Sequence, residues 1–91
     1  MSLSEATIGI TVKLFAAYQE AYGVSELSLA LPVGTTVEQV RDRLITEHPE
    51  LAQWRNLTRF GVNFQFAEPS TILQAGDEVV LIPPVSGGTE D

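Results

Sequence analysis

The chain has no cysteine, a single histidine, and only five lysines and arginines against twelve acidic residues. Without cysteine there is no disulfide, no thiol nucleophile, no thiolate zinc site and no cysteine-ligated iron–sulfur cluster. That composition fits a reducing compartment. The net charge of −7 argues against nucleic acid, whose phosphates are held by cations. It argues equally against an anionic membrane surface. No apolar run approaches the ~20 residues that cross a bilayer. Residues 1–6 lack the cationic and apolar regions of a secretory signal. These absences lead to the expectation of a cytoplasmic protein with no nucleic-acid or membrane partner. A charge-complementary protein partner remains compatible with them.

What is present fits one domain of 91 residues, long enough for one modest core. Ile8, Ile10, Val12 and Leu14 alternate with Gly9, Thr11 and Lys13, the period-two signature of a strand with one buried face. Phe15 to Tyr22 changes period and is rich in alanine, predicting a short helix capped by Gly23. Leu27, Leu29 and Leu31 alternate again until Pro32. Thr36 with Gln39, or Thr35 with Glu38, supplies a capping box for the main helix. Val37, Val40, Leu44 and Ile45 share one face of it, with Arg41, Asp42 and Glu47 facing away. Pro49 ends it near His48.

Residues 50–58 read as a helical turn followed by loop. Short strands are expected at Phe60–Val62 and from Phe66 to Glu68, around a turn at Asn63-Phe64-Gln65. Glu78 to Ile82 is nearly all apolar, predicting a central strand buried on both faces. If that strand lies beside the first, the two are parallel, because the intervening helix provides the crossover. The predicted fold is therefore α+β: a β-grasp mixed sheet of four to five strands with one main helix packed on it. The domain is placed at residues 7–84, with a flexible C-terminal tail at 85–91.

No stretch carries a self-sufficient catalytic set. His48 sits at a helix C-terminus, where a partly cationic ring meets the helix dipole, and no ligand cluster surrounds it; no metal site is expected. Asp77-Glu78 and the Glu47/Glu50 pair read as solvated turn charges rather than an acid–base dyad. Ser86 has neither a base nor the strand-to-helix elbow of a serine nucleophile.

The remaining feature is Pro83-Pro84-Val85-Ser86-Gly87-Gly88. Two prolines stiffen the exit from the last strand, and two glycines remove every side chain beyond it. A stiff base with a bare tip suits insertion into a narrow site on another protein. Taken with Val12-Lys13-Leu14-Phe15-Ala16, Thr36-Val37, Val62-Asn63 and Leu73-Gln74-Ala75-Gly76-Asp77-Glu78-Val79, this ending resembles the small (MoaD-type) subunits of molybdopterin synthase. Those belong to the ubiquitin-like β-grasp sulfur carriers. The resemblance runs from Ile8 to Gly88.

The resemblance implies a carrier that is not an enzyme on its own. The Gly88 carboxylate would be adenylated by a ubiquitin-activating-like (MoeB-type) adenylyltransferase, which uses ATP, and converted to a thiocarboxylate. The tail Pro83, Pro84, Val85, Ser86 and Gly87 would enter the large (MoaE-type) synthase subunit, where sulfur builds a dithiolene on the pterin. The carrier itself would hold no cofactor. Family members bury an apolar patch at the tail root, and the matching positions are Phe15, Phe66 and Ile82. Here Thr89-Glu90-Asp91 follows Gly88, so Gly88 bears an amide; either a protease removes those three residues, which is the favoured reading, or the chain is an inactive precursor or has another role. Two other readings stay open: a sulfur carrier for another, thiamin-type pathway, and a plain β-grasp interaction module.

Overall fold

The alternation that opens the chain produces a strand. In the computed structural model, which describes residues 6–84, β1 spans Thr7–Leu14 and buries Ile8, Ile10, Val12 and Leu14. Ala16, at φ 50°, turns the chain sharply into α1, the helix Ala16–Tyr22. Gly23 closes α1 in the left-handed conformation, φ 74°, with its N–H donating to the Gln19 carbonyl at 2.8 Å. Strand β2 (Glu26–Pro32) returns antiparallel to β1, with Val12 opposite Leu27 and Ile10 opposite Leu29.

The main helix, α2, spans Val37–Glu47 and buries Val37, Val40, Leu44 and Ile45. At its start Gln39 Oε1 accepts the Thr36 N–H at 2.8 Å, the return arm of the expected capping box. Pro49 stops it, and Pro49–Leu57 continue as a 3₁₀ helix that buries Leu51. Strands β3 (Arg59–Val62), β4 (Gln65–Ala67) and β5 (Glu78–Ile82) complete the sheet. Its order is β2-β1-β5-β3-β4. β5 lies parallel to β1, with Val12 opposite Val79 and Leu14 opposite Leu81, and antiparallel to β3. This is the expected β-grasp, with five strands.

Two expectations need correction. Strand β5 is central, but only one of its faces is buried: Val79 and Leu81 are fully enclosed, while Glu78 and Val80 are half-buried and Ile82 is exposed. The core residues of α1, α2 and the 3₁₀ helix join one cluster with the inward residues of the sheet. The other sheet face has no layer over it among the described residues. The apolar run Val79–Ile82 therefore places apolar side chains on a solvent face. Arg41 also departs from its expected outward position. Its side chain is only 12% exposed, lies 5.5 Å from the Phe60 ring centre, and donates from Nη1 to the Arg55 carbonyl at 3.2 Å. A long side chain can lay its stem on apolar surface and still place its charge beside a carboxylate; here Asp42 Oδ1 accepts from Arg41 Nε at 3.0 Å.

One polar chain crosses the core. Thr58 Oγ1 donates to the Trp54 carbonyl at 2.8 Å and accepts from the Tyr18 hydroxyl at 2.7 Å. It joins α1 to the end of the 3₁₀ helix where no water reaches Tyr18. Tyr18→Phe removes one neutral hydrogen bond and should cost about 1 kcal/mol. Thr58→Val strands both the Tyr18 hydroxyl and the Trp54 carbonyl, and should cost about 2–3 kcal/mol. Thermal melts compare the two; equal midpoints would show that the chain carries no stability.

Burial raises the Tyr18 hydroxyl pKa, and burial, with the adjacent Glu47 carboxylate, raises that of Tyr22. A folded-state pKa above the unfolded one contributes stability that is complete below the unfolded value of about 10. That contribution is lost as pH rises through the folded value. Melting midpoints should therefore fall above about pH 10, and Tyr22→Phe should lessen that fall.

Candidate functional site

The last strand delivers the chain to the surface at the middle of the sheet. Ile82 is the final residue of β5 and lies opposite Arg59 of β3. Pro83 is buried and Pro84 is exposed. Pro83, grouped by sequence with the inserting tail, is thus packed into the body of the domain, whereas Pro84 is on its surface. Val85, Ser86, Gly87, Gly88 and Thr89-Glu90-Asp91 lie outside the described residues.

Around this root the open sheet face is apolar. Phe15 is 46% exposed, Phe66 84% and Ile82 37%, so all three positions expected to meet a partner are on the surface rather than in the core. Phe15 and Ile82 each follow the Leu14–Leu81 pair by one residue, Phe15 just past the end of β1 and Ile82 as the last residue of β5. Phe66 is opposite Gly61, which is opposite Val80. Gly61, Phe64, Gln65, Phe66, Val80 and Ile82 line one concavity of about 200 Å³. The fold thus brings Phe66 and Ile82 to a single hollow, with Phe15 outside its lining.

Phe64 is the residue that sequence reasoning passed over as a turn position. The β3–β4 hairpin turns on Asn63 and Phe64 alone, with Val62 opposite Gln65. Both turn residues have positive φ, 51° and 69°, the geometry for which Asn-Gly is the usual sequence. A phenylalanine there costs on the order of 1 kcal/mol or more of backbone strain. The available signal was Asn63 between two short strands, followed by an aromatic where glycine is expected.

The strain is held by a clasp from β5. Asn63 N–H donates to the Glu78 carbonyl at 2.8 Å, and Glu78 N–H donates to Asn63 Oδ1 at 3.0 Å. Asn63 Nδ2 donates to Asp77 Oδ1 at 2.9 Å, while Asp77 Oδ2 accepts the Gln74 N–H at 2.8 Å. Val62-Asn63 and Gln74–Glu78, distant in sequence, thus form one hydrogen-bonded unit. It fixes the hairpin against the strand that leads to the tail.

The charges near the root are uneven. Lys13, on the open face opposite Val80, donates to Glu26 at 2.7 Å, and that bond raises its pKa. Arg41 and Arg55 meet Asp42, and Arg43 meets Glu47. Among the described residues only Arg59 is a cation without a carboxylate partner, and it stands beside Ile82.

Elsewhere the polar groups are structural. Asp77 caps its turn, Glu47 accepts from Tyr22 and pairs with Arg43, and His48 packs edge-on to Tyr22 with ring centres 4.2 Å apart. No cluster of three potential metal ligands occurs among the described residues. No helix there is long and apolar enough to cross a membrane.

The comparisons with known proteins point to the same kind of molecule. A family model described as the ThiS family matches residues 12–88. The molybdopterin synthase sulfur carrier subunit of Arabidopsis thaliana is 36% identical over 83 residues, covering 91% of this chain and 86% of that protein. The subunit of the same name from Homo sapiens is 35% identical over 82 residues, covering 87% and 93%. Among solved structures, SAMP1 from Haloferax volcanii has a TM-score of 0.73 at 30% identity, covering 88% of this chain and 99% of that one. With a β-grasp sheet and these similarities over most of its length, the chain belongs to the ThiS family, and its curated relatives are named sulfur carrier subunits of molybdopterin synthase.

Proposed function

We infer that the protein carries sulfur at Gly88 and serves as the small subunit of a molybdopterin synthase. The observation that carries the reading is the placement of the tail root. A central strand anchored on both sides ends at a buried proline, then an exposed proline, beside an apolar hollow. The five residues Pro84 to Gly88 span roughly 17 Å when extended. That length carries a terminus from the domain into a neighbour's pocket, and the glycines pass where a Cβ would clash.

In this reading Thr89-Glu90-Asp91 is first cleaved off by a protease, which frees the Gly88 carboxylate. A carboxylate is a poor electrophile. An adenylyltransferase partner, which binds the ATP, lets a Gly88 oxygen attack the α-phosphate with loss of pyrophosphate. Hydrosulfide, or a sulfur donor equivalent to it, displaces AMP from the mixed anhydride and leaves a thiocarboxylate. In the large subunit the thiocarboxylate sulfur attacks a side-chain carbon of the pterin precursor and displaces an oxygen substituent, so a C–S bond forms as a C–O bond breaks. Hydrolysis of the acyl link returns Gly88 as a carboxylate and leaves sulfur on the pterin; two such transfers complete the dithiolene. The domain contributes the reactive terminus and its docking, while the catalytic groups belong to the partners. The relatives' own name, sulfur carrier subunit of molybdopterin synthase, supports this division.

Intact-mass spectrometry tests it. The chain shortened to end at Gly88, incubated with ATP, a sulfide source and the activating enzyme, should exchange one oxygen for one sulfur at Gly88. The chain retaining Thr89-Glu90-Asp91 should stay unchanged. A Gly88-ended chain that binds the activating enzyme yet gains no sulfur would sink the carrier reading. Deleting Gly87-Gly88 should abolish sulfur loading, whereas a plain interaction module would bind its partners unaltered.

A further inference from the structure

Phe64 contributes little to the core, since it is 87% exposed, and the hairpin would form more easily with glycine at its φ of 69°. It nevertheless lines the same hollow as Phe66, Val80 and Ile82. Strained backbone of this kind clusters at functional surfaces. The clasp between Asn63 and Glu78 keeps the turn in place despite the strain. The floor of the hollow is bare: a Cβ added to Gly61 would meet only Gln65 O at 3.5 Å and Val80 Cβ at 3.6 Å, ordinary contacts. Gly61 therefore leaves its part of the hollow without a side chain, and Phe64 and Phe66 both line the roughly 200 Å³ that remains. At the tail-root end stands Arg59, unpaired among the described residues although the chain carries twelve carboxylates.

We propose that Phe64 and Arg59 are partner-recognition residues. With Phe66, Val80 and Ile82 they form the surface on which the protein that receives the tail docks. The occupant presents one aliphatic side chain to the hollow and one carboxylate to Arg59. The proposal rests on the carrier reading and adds to the expected contacts Phe66 and Ile82 two residues, Phe64 and Arg59, that select the receiving subunit. Continuity favours that occupant. The hollow reaches Ile82, the residue before Pro83, so a body that swallows a tail of roughly 17 Å must close over it. Charge disfavours a second copy, because two chains of net charge −7 repel each other.

The test titrates the large-subunit protein of the same organism with the Gly88-ended chain and its variants by calorimetry, with a melting curve for each. Phe64→Gly should melt no lower than the wild type, because glycine relieves the left-handed strain, and should bind about tenfold more weakly. Arg59→Glu should weaken binding similarly, and reversing one acidic residue on the large subunit to lysine should restore it. Phe64→Gly binding within twofold of the wild type overturns the proposal. So does a loss of affinity matched by a loss of melting temperature, which marks a structural role. A wild-type chain that self-associates in sedimentation, with Phe64→Gly abolishing only that, assigns the face to a second copy. Weakened binding to the activating enzyme alone assigns it there. Failure of the wild type to bind the large subunit sinks the synthase reading as well, whereas intact wild-type binding with an unaffected Phe64→Gly sinks only this proposal.

Discussion

The parallel pairing of β5 with β1 is the constraint on which the rest of the domain hangs. It joins the first strand of the chain to the last, so every element between them becomes part of one crossover. Val12 and Val79, opposite each other in that pairing, are both fully buried. The pairing continues backwards through the turn before β5, where Gly76 N–H donates to the Gly9 carbonyl at 2.8 Å and Thr11 N–H to the Asp77 carbonyl at 3.1 Å. With β3 on its other side, β5 is held along both edges. The strand that ends at Ile82 is thus held by two ladders of hydrogen bonds, one to β1 and one to β3.

The sheet is covered on one face only among the described residues. The helices close the face that holds Ile10, Val12, Phe60, Val79 and Leu81. The face bearing Val80, Ile82 and Phe66 stays uncovered, and the β3–β4 hairpin adds Phe64 to it. The cost of Phe64 at positive φ is offset by the clasp of Asn63 on Asp77 and Glu78. Val62-Asn63 and Gly76-Asp77-Glu78 are therefore two halves of one device, and that is a physical reason for them to occur together in a sequence.

Much of this was legible in the residues. Period-two and helical patterns located β1, β2 and α2, and Thr36, Gly23 and Pro49 marked their ends, because each acts through backbone geometry within a few residues of itself. Residues 49–57 were harder, since a 3₁₀ helix has three residues per turn and leaves neither period clean. The apolar run of β5 signalled a central strand but misreported its second face, because burial by a partner and burial by a helix leave the same residues in the sequence. Arg41 was misplaced for a related reason: its side chain reaches the Phe60 ring of β3, while its charge is met by the adjacent Asp42.

By itself the sequence determined the strand and helix pattern, the one-domain β-grasp order, the absence of metal and thiol chemistry at cysteine, and the Gly-Gly segment with its three following residues. These follow from local rules: side-chain period, φ preferences and missing atom types. Only the tertiary structure decided which apolar residues are core and which are surface, that Pro83 is buried while Pro84 is exposed, and that Phe64 and Phe66 share a hollow with Ile82. Those outcomes depend on strand order and register. Register brings together residues far apart in the chain, and a pattern read along the chain does not contain it.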